Sequence, residues 1–367
     1  MKKLDFKTIN NIYIAALTEA GVPEQDAKII ADVLLTADKL GIDSHGLNRL
    51  KPIYLDRIKD GIVNPITKID IVRESPTTTV IDGNNGMGHV VSKKAMELCI
   101  EKAKTYGMGM SVVRNSSHFG IAGYYGLMAE KAGMIGITGT NARPSIAPTF
   151  GVENMLGTNP LTFVMPSDEE FPFFLDCATS VSQRGKFEQY AKEGKDLPKG
   201  WVIDREGNSK TNSIEVLDDL VNGIAALAPL GGIGEDTAGY KGYGYATVVE
   251  ILSAALQGGG FMKALLGYEN GKKVPYRLGH FFIAINIENF IDLDEFKKIT
   301  GNILRELRNS EKMPGSEKIY TAGEKEHNNF VERSKNGVPI NQVLWNEMKD
   351  VATNYQLSEY YDLFGIK

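Results

Sequence analysis

A chain of 367 residues, 42% hydrophobic and 24% charged, has ordinary globular composition and room for two or three domains or one large interleaved unit. Its net charge of −5, with Lys and Arg spread along the chain, argues against nucleic acid as the main partner and requires any anion site to be local. Two distant cysteines, Cys99 and Cys177, form neither a metal pair nor a redox pair, and no apolar run is long enough for a signal or a membrane span, so the chain reads as cytoplasmic.

In chain order, Phe6, Ile9, Ile12, Tyr13 and Leu17 form one helical stripe over 6–19. Pro23 opens a second helix, with Asp26 in its first turn and Gly41 at its end. Leu50, Ile53, Tyr54 and Ile58 predict a third helix over 47–59, after a loop Asp43-Ser44-His45-Gly46. Ile69 and Ile71 alternate with polar residues as in a half-buried strand, and the alternation breaks at Val72. A strand at 79–81 runs into the glycine turn 82–88, and a long helix follows to about Tyr106. A strand at 110–113 delivers Asn115-Ser116-Ser117-His118-Phe119-Gly120. A helix at 124–132, a strand at 134–138, paired strands at 161–165 and 173–175, a helix at 244–257 and a strand at 281–287 follow. Helices at 293–309 and 340–354 close the chain, and 312–337, rich in Gly, Lys, Glu and Asn, reads as linker-like.

The G-x-G-x-x-G and P-loop patterns are absent, so any dinucleotide binds without the Rossmann fingerprint. The Gly83–Gly88 stretch is a strand-to-helix turn or a phosphate or substrate loop. Five histidines show no zinc-ligand spacing. His89, His280 and His327 read as structural or solvent-facing. His118 lies past a strand end, where scaffolds present reactive groups, with Ser116 and Ser117 able to orient it; a helix-capping role is the alternative. Arg49, in the first turn after Gly46, points into the same region as His45. A guanidinium fork matches a carboxylate and an imidazole passes a proton near neutral pH, the pairing a 2-hydroxy or 2-oxo acid requires; a plain surface loop remains the alternative.

Taken together, seven segments occur in a specific order: Ser44-His45-Gly46-Leu47-Asn48-Arg49, Asn115-Ser116-Ser117-His118-Phe119-Gly120, Asn141-Ala142-Arg143-Pro144, Ala147-Pro148, Gly157-Thr158-Asn159-Pro160, Asp176-Cys177-Ala178-Thr179-Ser180 and Lys241-Gly242-Tyr243-Gly244. Over about residues 5–355 the chain resembles the malate/L-lactate dehydrogenase family, which also contains sulfolactate, ureidoglycolate and diketogulonate enzymes. The resemblance implies a non-Rossmann α/β fold with a mixed sheet and helical N- and C-terminal regions. It implies an N-terminal helical region (1–75), an α/β core (76–295) and C-terminal helices (296–367) packing on the N-terminal region. It implies NAD, with NADP as the alternative, a small-molecule substrate and a homodimer. By similarity, His118 and His45 are the acid/base residues, Ser44 and Arg49 bind substrate, and Arg49 holds its carboxylate. Asp176, Cys177, Ala178, Thr179, Lys241 and Gly242, with Gly323 and Glu324, line the cofactor.

The reaction expected is reversible hydride transfer between a nicotinamide and a 2-hydroxy acid. Malate needs two carboxylate anchors and lactate one; Arg143 as a second anchor favours malate/oxaloacetate, and its alternative is a solvent-facing arginine. Lactate, sulfolactate and ureidoglycolate are the other substrates in view. A Ser/His hydrolase using Ser117 and His118, or a non-catalytic binding protein, are the readings outside this class. Arg184 and Lys186 either meet a 2′-phosphate or face water.

Overall fold

Asp5 starts the chain's first helix by accepting the Thr8 N–H at 2.9 Å, and α1 (Phe6–Glu19) packs its apolar stripe against α2 (Glu24–Lys39). The computed structural model describes residues 2–367, with the side chains of Arg184 and Lys192 outside the described residues. Near the end of α2 the buried carboxyl of Asp38 accepts the Tyr13 hydroxyl at 2.5 Å and the Leu47 N–H at 3.1 Å. The loop 43–46 closes directly onto that carboxyl: a Cβ at Gly46 would lie 1.9 Å from Asp38 Oδ1, so only glycine fits.

The helix expected over 47–59 is helical throughout but not regular. A 3₁₀ turn (Leu47–Arg49) leads into a π segment (Leu50–Leu55) and a last α turn (Asp56–Lys59). Pro52 has no N–H, and in an α-helix its ring would press on the carbonyl four residues back, so the chain widens there.

The core is a seven-stranded mixed sheet of β1 (Asp70–Glu74), β2 (Thr78–Asp82), β3 (Met108–Ser116), β4 (Met134–Thr140), β5 (Leu161–Met165), β6 (Phe173–Cys177) and β7 (Leu278–Asn286), in the order β1-β2-β3-β7-β4-β5-β6. Only β2 and β3 pair in parallel; the other neighbours are antiparallel. The broken alternation at Val72 is a β-bulge, where the pairing passes from Ile71–Ile81 to Arg73–Val80. Alternate residues face opposite layers. Val113, Phe282 and Ala284 pack under α3 (Gly88–Tyr106) and α4 (Gly123–Lys131), while Val112 and Phe281 meet Val249 of α7 (Gly239–Ala254) on the other face.

Between β6 and α7 the sequence pattern offers no element, yet the chain builds a satellite lobe. There α5 (Arg184–Lys192) and α6 (Ser213–Asn222) enclose Phe187, Leu197, Val202 and Val216 against Ile146 and Leu156 of the core. After α8 (Leu293–Asn309), the stretch expected to be linker-like holds α9 (Glu324–Asn336). Its low apolar content hid it: Glu324 and Arg333 are buried through ionic partners rather than hydrophobic ones. Arg333 donates to the Asp38 carbonyl at 2.6 Å and to both oxygens of Asp43 at 2.6 and 3.0 Å, fastening α9 to the loop that carries Ser44 and His45. Finally, α10 (Gln342–Asn354) adds Trp345, Met348 and Val351 to the cluster of α1 and α2, and Lys2–Leu4 pairs antiparallel with Val338–Ile340. Among the described residues no helix is long and apolar enough to cross a membrane.

Candidate functional site

β3 ends at Ser116, and the next residues turn sharply past the N-terminus of α3. Ser117 does not reach the imidazole beside it. Its hydroxyl donates to the Gly86 carbonyl at 2.8 Å and accepts the Gly88 N–H at 2.9 Å. Gly88 permits this contact, since a Cβ there would stand 2.2 Å from the Ser117 carbonyl oxygen. The sequence expectation that Ser116 and Ser117 orient His118 is therefore corrected: Ser117 is spent on the glycine turn, and Ser116 Oγ is buried with no partner among the described residues. Ser117 is likewise unavailable as a hydrolase nucleophile, being bonded to backbone on both its donor and acceptor sides.

The residue that orients His118 is Tyr54, which the sequence marks only as part of a helical stripe. Its hydroxyl is 2.7 Å from His118 Nδ1, and the Gly120 N–H points at the same nitrogen from 3.3 Å. An amide N–H favours a lone pair over another N–H, so this geometry suits the resting neutral ring with its lone pair on Nδ1, Tyr54 donating, and its hydrogen on Nε2. His45 stacks on His118 with ring centroids 5.7 Å apart and planes 20° from parallel. Its own Nδ1 is 2.8 Å from Ser44 Oγ. Arg49 Nε donates to the Ser44 carbonyl, which ties the arginine to the histidine's loop.

Two cavities meet at this stack. One, of about 640 Å³, is lined by His118, Arg57, Arg143, Thr158, Tyr276 and residues of the satellite lobe. The other, of about 420 Å³, is lined by Ser44, His45, Gly120, Ala122, Thr158, Asp176, Ala178, Gln183 and Glu326. Burial drives the charge state of the pair. It is the main reason His118 titrates well below the usual histidine range, with His45, Arg57 and Arg49 adding repulsion. His45 is pushed down to about 4, by burial first and Arg49 second. Both rings are neutral at pH 7 in the free protein.

Arg57, absent from the sequence-based candidates, lies on the wall of the larger cavity with its guanidinium 4.4 Å from the centre of the Tyr276 ring. No short motif flags it; it follows the π segment by two residues, in the last α turn. Arg143 lies on the same wall, at its exposed edge.

The remaining candidates divide by position. Asp176 and Ala178 line the smaller cavity, and Asp176 is already held by the Gly123 N–H and the Thr162 hydroxyl, each at 2.8 Å. Thr179 donates to the Asn159 carbonyl at 2.9 Å, supporting the strand end, and Cys177 is the last residue of β6. Lys241, Gly242, Gly323 and Glu324 are not among the residues lining either cavity. Gly242 lets α7 touch the Leu230 carbonyl, where a Cβ would come within 2.0 Å. Glu324 faces Lys318 and Arg308. The Arg184 side chain lies outside the described residues, and Lys186 turns to Gln189 Oε1 at 3.3 Å. His89 and His280 are fully buried and held near 3 by burial, and His327 pairs with Glu170 at 3.3 Å. Among the described residues no group of three His, Cys, Asp or Glu could hold a metal.

The smaller cavity fits the nicotinamide end of a dinucleotide. Gly120, Ala122 and Ala178 leave room beside His45, and Ser44, Thr158 and Gln183 offer hydroxyl and amide groups of the kind a carboxamide and a ribose bind. Its volume is too small for a whole dinucleotide.

Residues 4–349 match the family model described as malate/L-lactate dehydrogenase. The malate dehydrogenase of Pyrococcus horikoshii is 46% identical over 339 residues, covering 92% of this chain and 91% of that one. The L-sulfolactate dehydrogenase of Methanocaldococcus jannaschii is 41% identical over 95% of both chains. The crystal structure of malate dehydrogenase from Entamoeba histolytica superposes with a TM-score of 0.93 at 48% identity, over 97% of this chain and 98% of that one.

Proposed function

Because the chain belongs to the malate/L-lactate dehydrogenase family, we propose that it is a malate dehydrogenase using NAD, with His118 and His45 as its acid/base pair. It is an oxidoreductase acting on the CH–OH group of a 2-hydroxy acid with a nicotinamide cofactor. What carries the reading of the site is the stacked His45–His118 pair at the junction of two cavities, with Arg57 and Arg143 lacking a carboxylate partner among the described residues. The 46% identity to a malate dehydrogenase supports malate and oxaloacetate ahead of lactate, sulfolactate or ureidoglycolate.

In this reading the substrate occupies the larger cavity and the nicotinamide the smaller, near Ser44, Thr158, Asp176 and Ala178. The bound nicotinamide supplies the hydride acceptor for oxidation and the donor for reduction. During oxidation His118 Nε2 takes the hydroxyl proton from the other neutral tautomer, with hydrogen on Nδ1, which the resting ring reaches by releasing its Nε2 hydrogen to water in the cavity and taking one up at Nδ1. Tyr54 allows that change because a hydroxyl can reverse its role, donating to Nδ1 in one state and accepting from it in the other. During reduction the protonated ring returns a proton to the forming alkoxide. Negative charge brought by the substrate opposes the repulsion from the arginines and raises the His118 pKa toward the working range. By resemblance Arg49 takes the carboxylate next to the reacting carbon from beside the histidine pair, and Arg143, on the wall of the larger cavity, is within reach of a second one; such orientation lowers a barrier by about 7 kcal/mol or more where alignment is close. A homodimer and a cytoplasmic location belong to the same reading; exposed Tyr245, Val248 and Ile251 on α7 support the former.

The test is a panel of 2-oxo acids with NADH and with NADPH, followed at the nicotinamide absorbance. Oxaloacetate with NADH should turn over fastest, and no turnover with any member would sink the assignment. His118→Ala should lower kcat by about 100-fold to 10,000-fold.

A further inference from the structure

The larger cavity holds more cations than acids. Arg57, Arg143, Arg205 and Lys263 line it against one carboxylate, Glu153. Two of the four are already satisfied: Lys263 pairs with Glu153, and Arg205 donates to the carbonyls of Val152 and Gly223. Arg57 and Arg143 have no acid partner among the described residues. They differ in setting, since Arg143 is exposed whereas Arg57 is half-buried between Tyr54 and Tyr276. A guanidinium away from water needs a counter-ion or its equivalent. The Tyr276 ring takes one face of the Arg57 group, which leaves the N–H edge, the part that forks onto a carboxylate, open. Arg49, the anchor assigned by resemblance, is not on this cavity's wall and is tied back to the Ser44 carbonyl.

We propose that Arg57 selects substrates with a second acidic group by receiving the distal carboxylate on its open N–H edge, with Tyr276 backing its face. The assignment rests on the malate reading above and extends it to a residue no motif marks. Burial, and repulsion from Arg49 and Arg143, already hold the Arg57 pKa below its usual value, so an anion arriving there relieves strain rather than creating it. Arg143, at the exposed edge, would then guide or share the group rather than fix it.

The test compares oxaloacetate with pyruvate, which lacks the distal carboxylate, in wild type, Arg57→Met and Arg57→Lys. Methionine keeps much of the stem; lysine keeps the charge but not the fork. For Arg57→Met, kcat/KM on oxaloacetate should fall about 100-fold, mainly in KM, with pyruvate changed by less than about threefold and Arg57→Lys intermediate. Equal losses on both substrates, or no loss on oxaloacetate, would overturn the assignment. If Arg57→Met fails a thermal-melt check, Arg57→Lys alone decides by the same ratio. Calorimetric binding of succinate against butyrate gives a readout without turnover. Arg57→Met should weaken succinate about 30-fold and leave butyrate unchanged, and unchanged succinate binding refutes the role. Inactivity of wild type on every 2-oxo acid would count against the malate reading, whereas this binding difference tests Arg57 directly.

Discussion

Replacing Tyr54 by Phe removes one oxygen atom, the one 2.7 Å from His118 Nδ1. The ring and its edge contact with His89, at 4.7 Å between centroids, are retained, so the fold should persist. What is lost is, among the described residues, the only partner of Nδ1 able to both donate and accept. The Gly120 N–H, at 3.3 Å, is itself a donor and offers no acceptor, so the phenylalanine variant leaves a protonated Nδ1 buried without one. A hydrogen bond to a charged group contributes about 1.5–3 kcal/mol, so kcat should fall roughly 10- to 150-fold in both directions, with KM changed by less than about threefold. The pH profile should move as well. Removing a group that stabilises the imidazolium lowers its pKa, so reduction, which needs the protonated ring, should fade at lower pH in the variant than in wild type. Initial rates with saturating NADH across pH 5–9, beside thermal melts, measure both effects. A kcat within about twofold of wild type, or a loss carried by KM alone, would refute the orienting role.

Arg143→Ala should lower activity on oxaloacetate more than on pyruvate; equal losses would leave it a surface arginine. In malate oxidation by the free enzyme, kcat/KM should stay flat as pH falls through 6.5, because the neutral form of His118, the form oxidation uses, persists well below the usual histidine range; a half-drop near 6.5 would contradict this. Asp38 is raised to about 7 by burial, so the folded state binds more protons than the unfolded between pH 4 and 7, and its contribution to stability is fully present at low pH and lost as pH rises through 7. Urea midpoints of Asp38→Asn relative to wild type should therefore shift in favour of asparagine between pH 5 and 7, by up to about 1.4 kcal/mol per pH unit, and a pH-independent difference would show that Asp38 does not titrate there. The histidines held near 3 to 4, His45, His89 and His280, work with the opposite sign: each adds stability that is lost as pH falls from 6.5 toward its lowered pKa, which wild-type melts across that range should reveal as acid destabilisation.

Much of the architecture was legible because its signals are local. The strand running into the His118 loop and the helices over 6–19 and 293–309 follow from alternation, period and caps within a few residues of each other, and the break in alternation at Val72 marks a bulge, though the strand that carries it is mostly exposed rather than half-buried. The α9 helix was not legible, because its polar sequence pattern suggests solvent while Arg333 and Glu324 are in fact buried against partners such as Asp43 and Lys318. The satellite lobe was missed for a related reason: its small apolar set, Phe187, Val202 and Val216, gains a core only by meeting Ile146 and Leu156 from a distant stretch.

The π segment, which no sequence pattern marks, carries the residue that contacts His118. In a regular α-helix, Ile53 would share a face with Arg49, four residues before it. In the π segment that Pro52 favours, the repeat lengthens toward five, and Tyr54 takes that place instead. Tyr54 then reaches His118, 64 positions along the chain, and Arg57 comes to the cavity wall after it. Replacing Pro52 with Ala should test this chain of cause directly. If proline is what keeps the turn wide, relaxing it toward a regular helix rotates Tyr54 away, and the variant should copy Tyr54→Phe in kcat and in its pH limb while melting no lower than wild type. If Pro52→Ala keeps full activity, the wide turn is held by the packing of Tyr54 and Leu55 instead, and proline merely tolerates it.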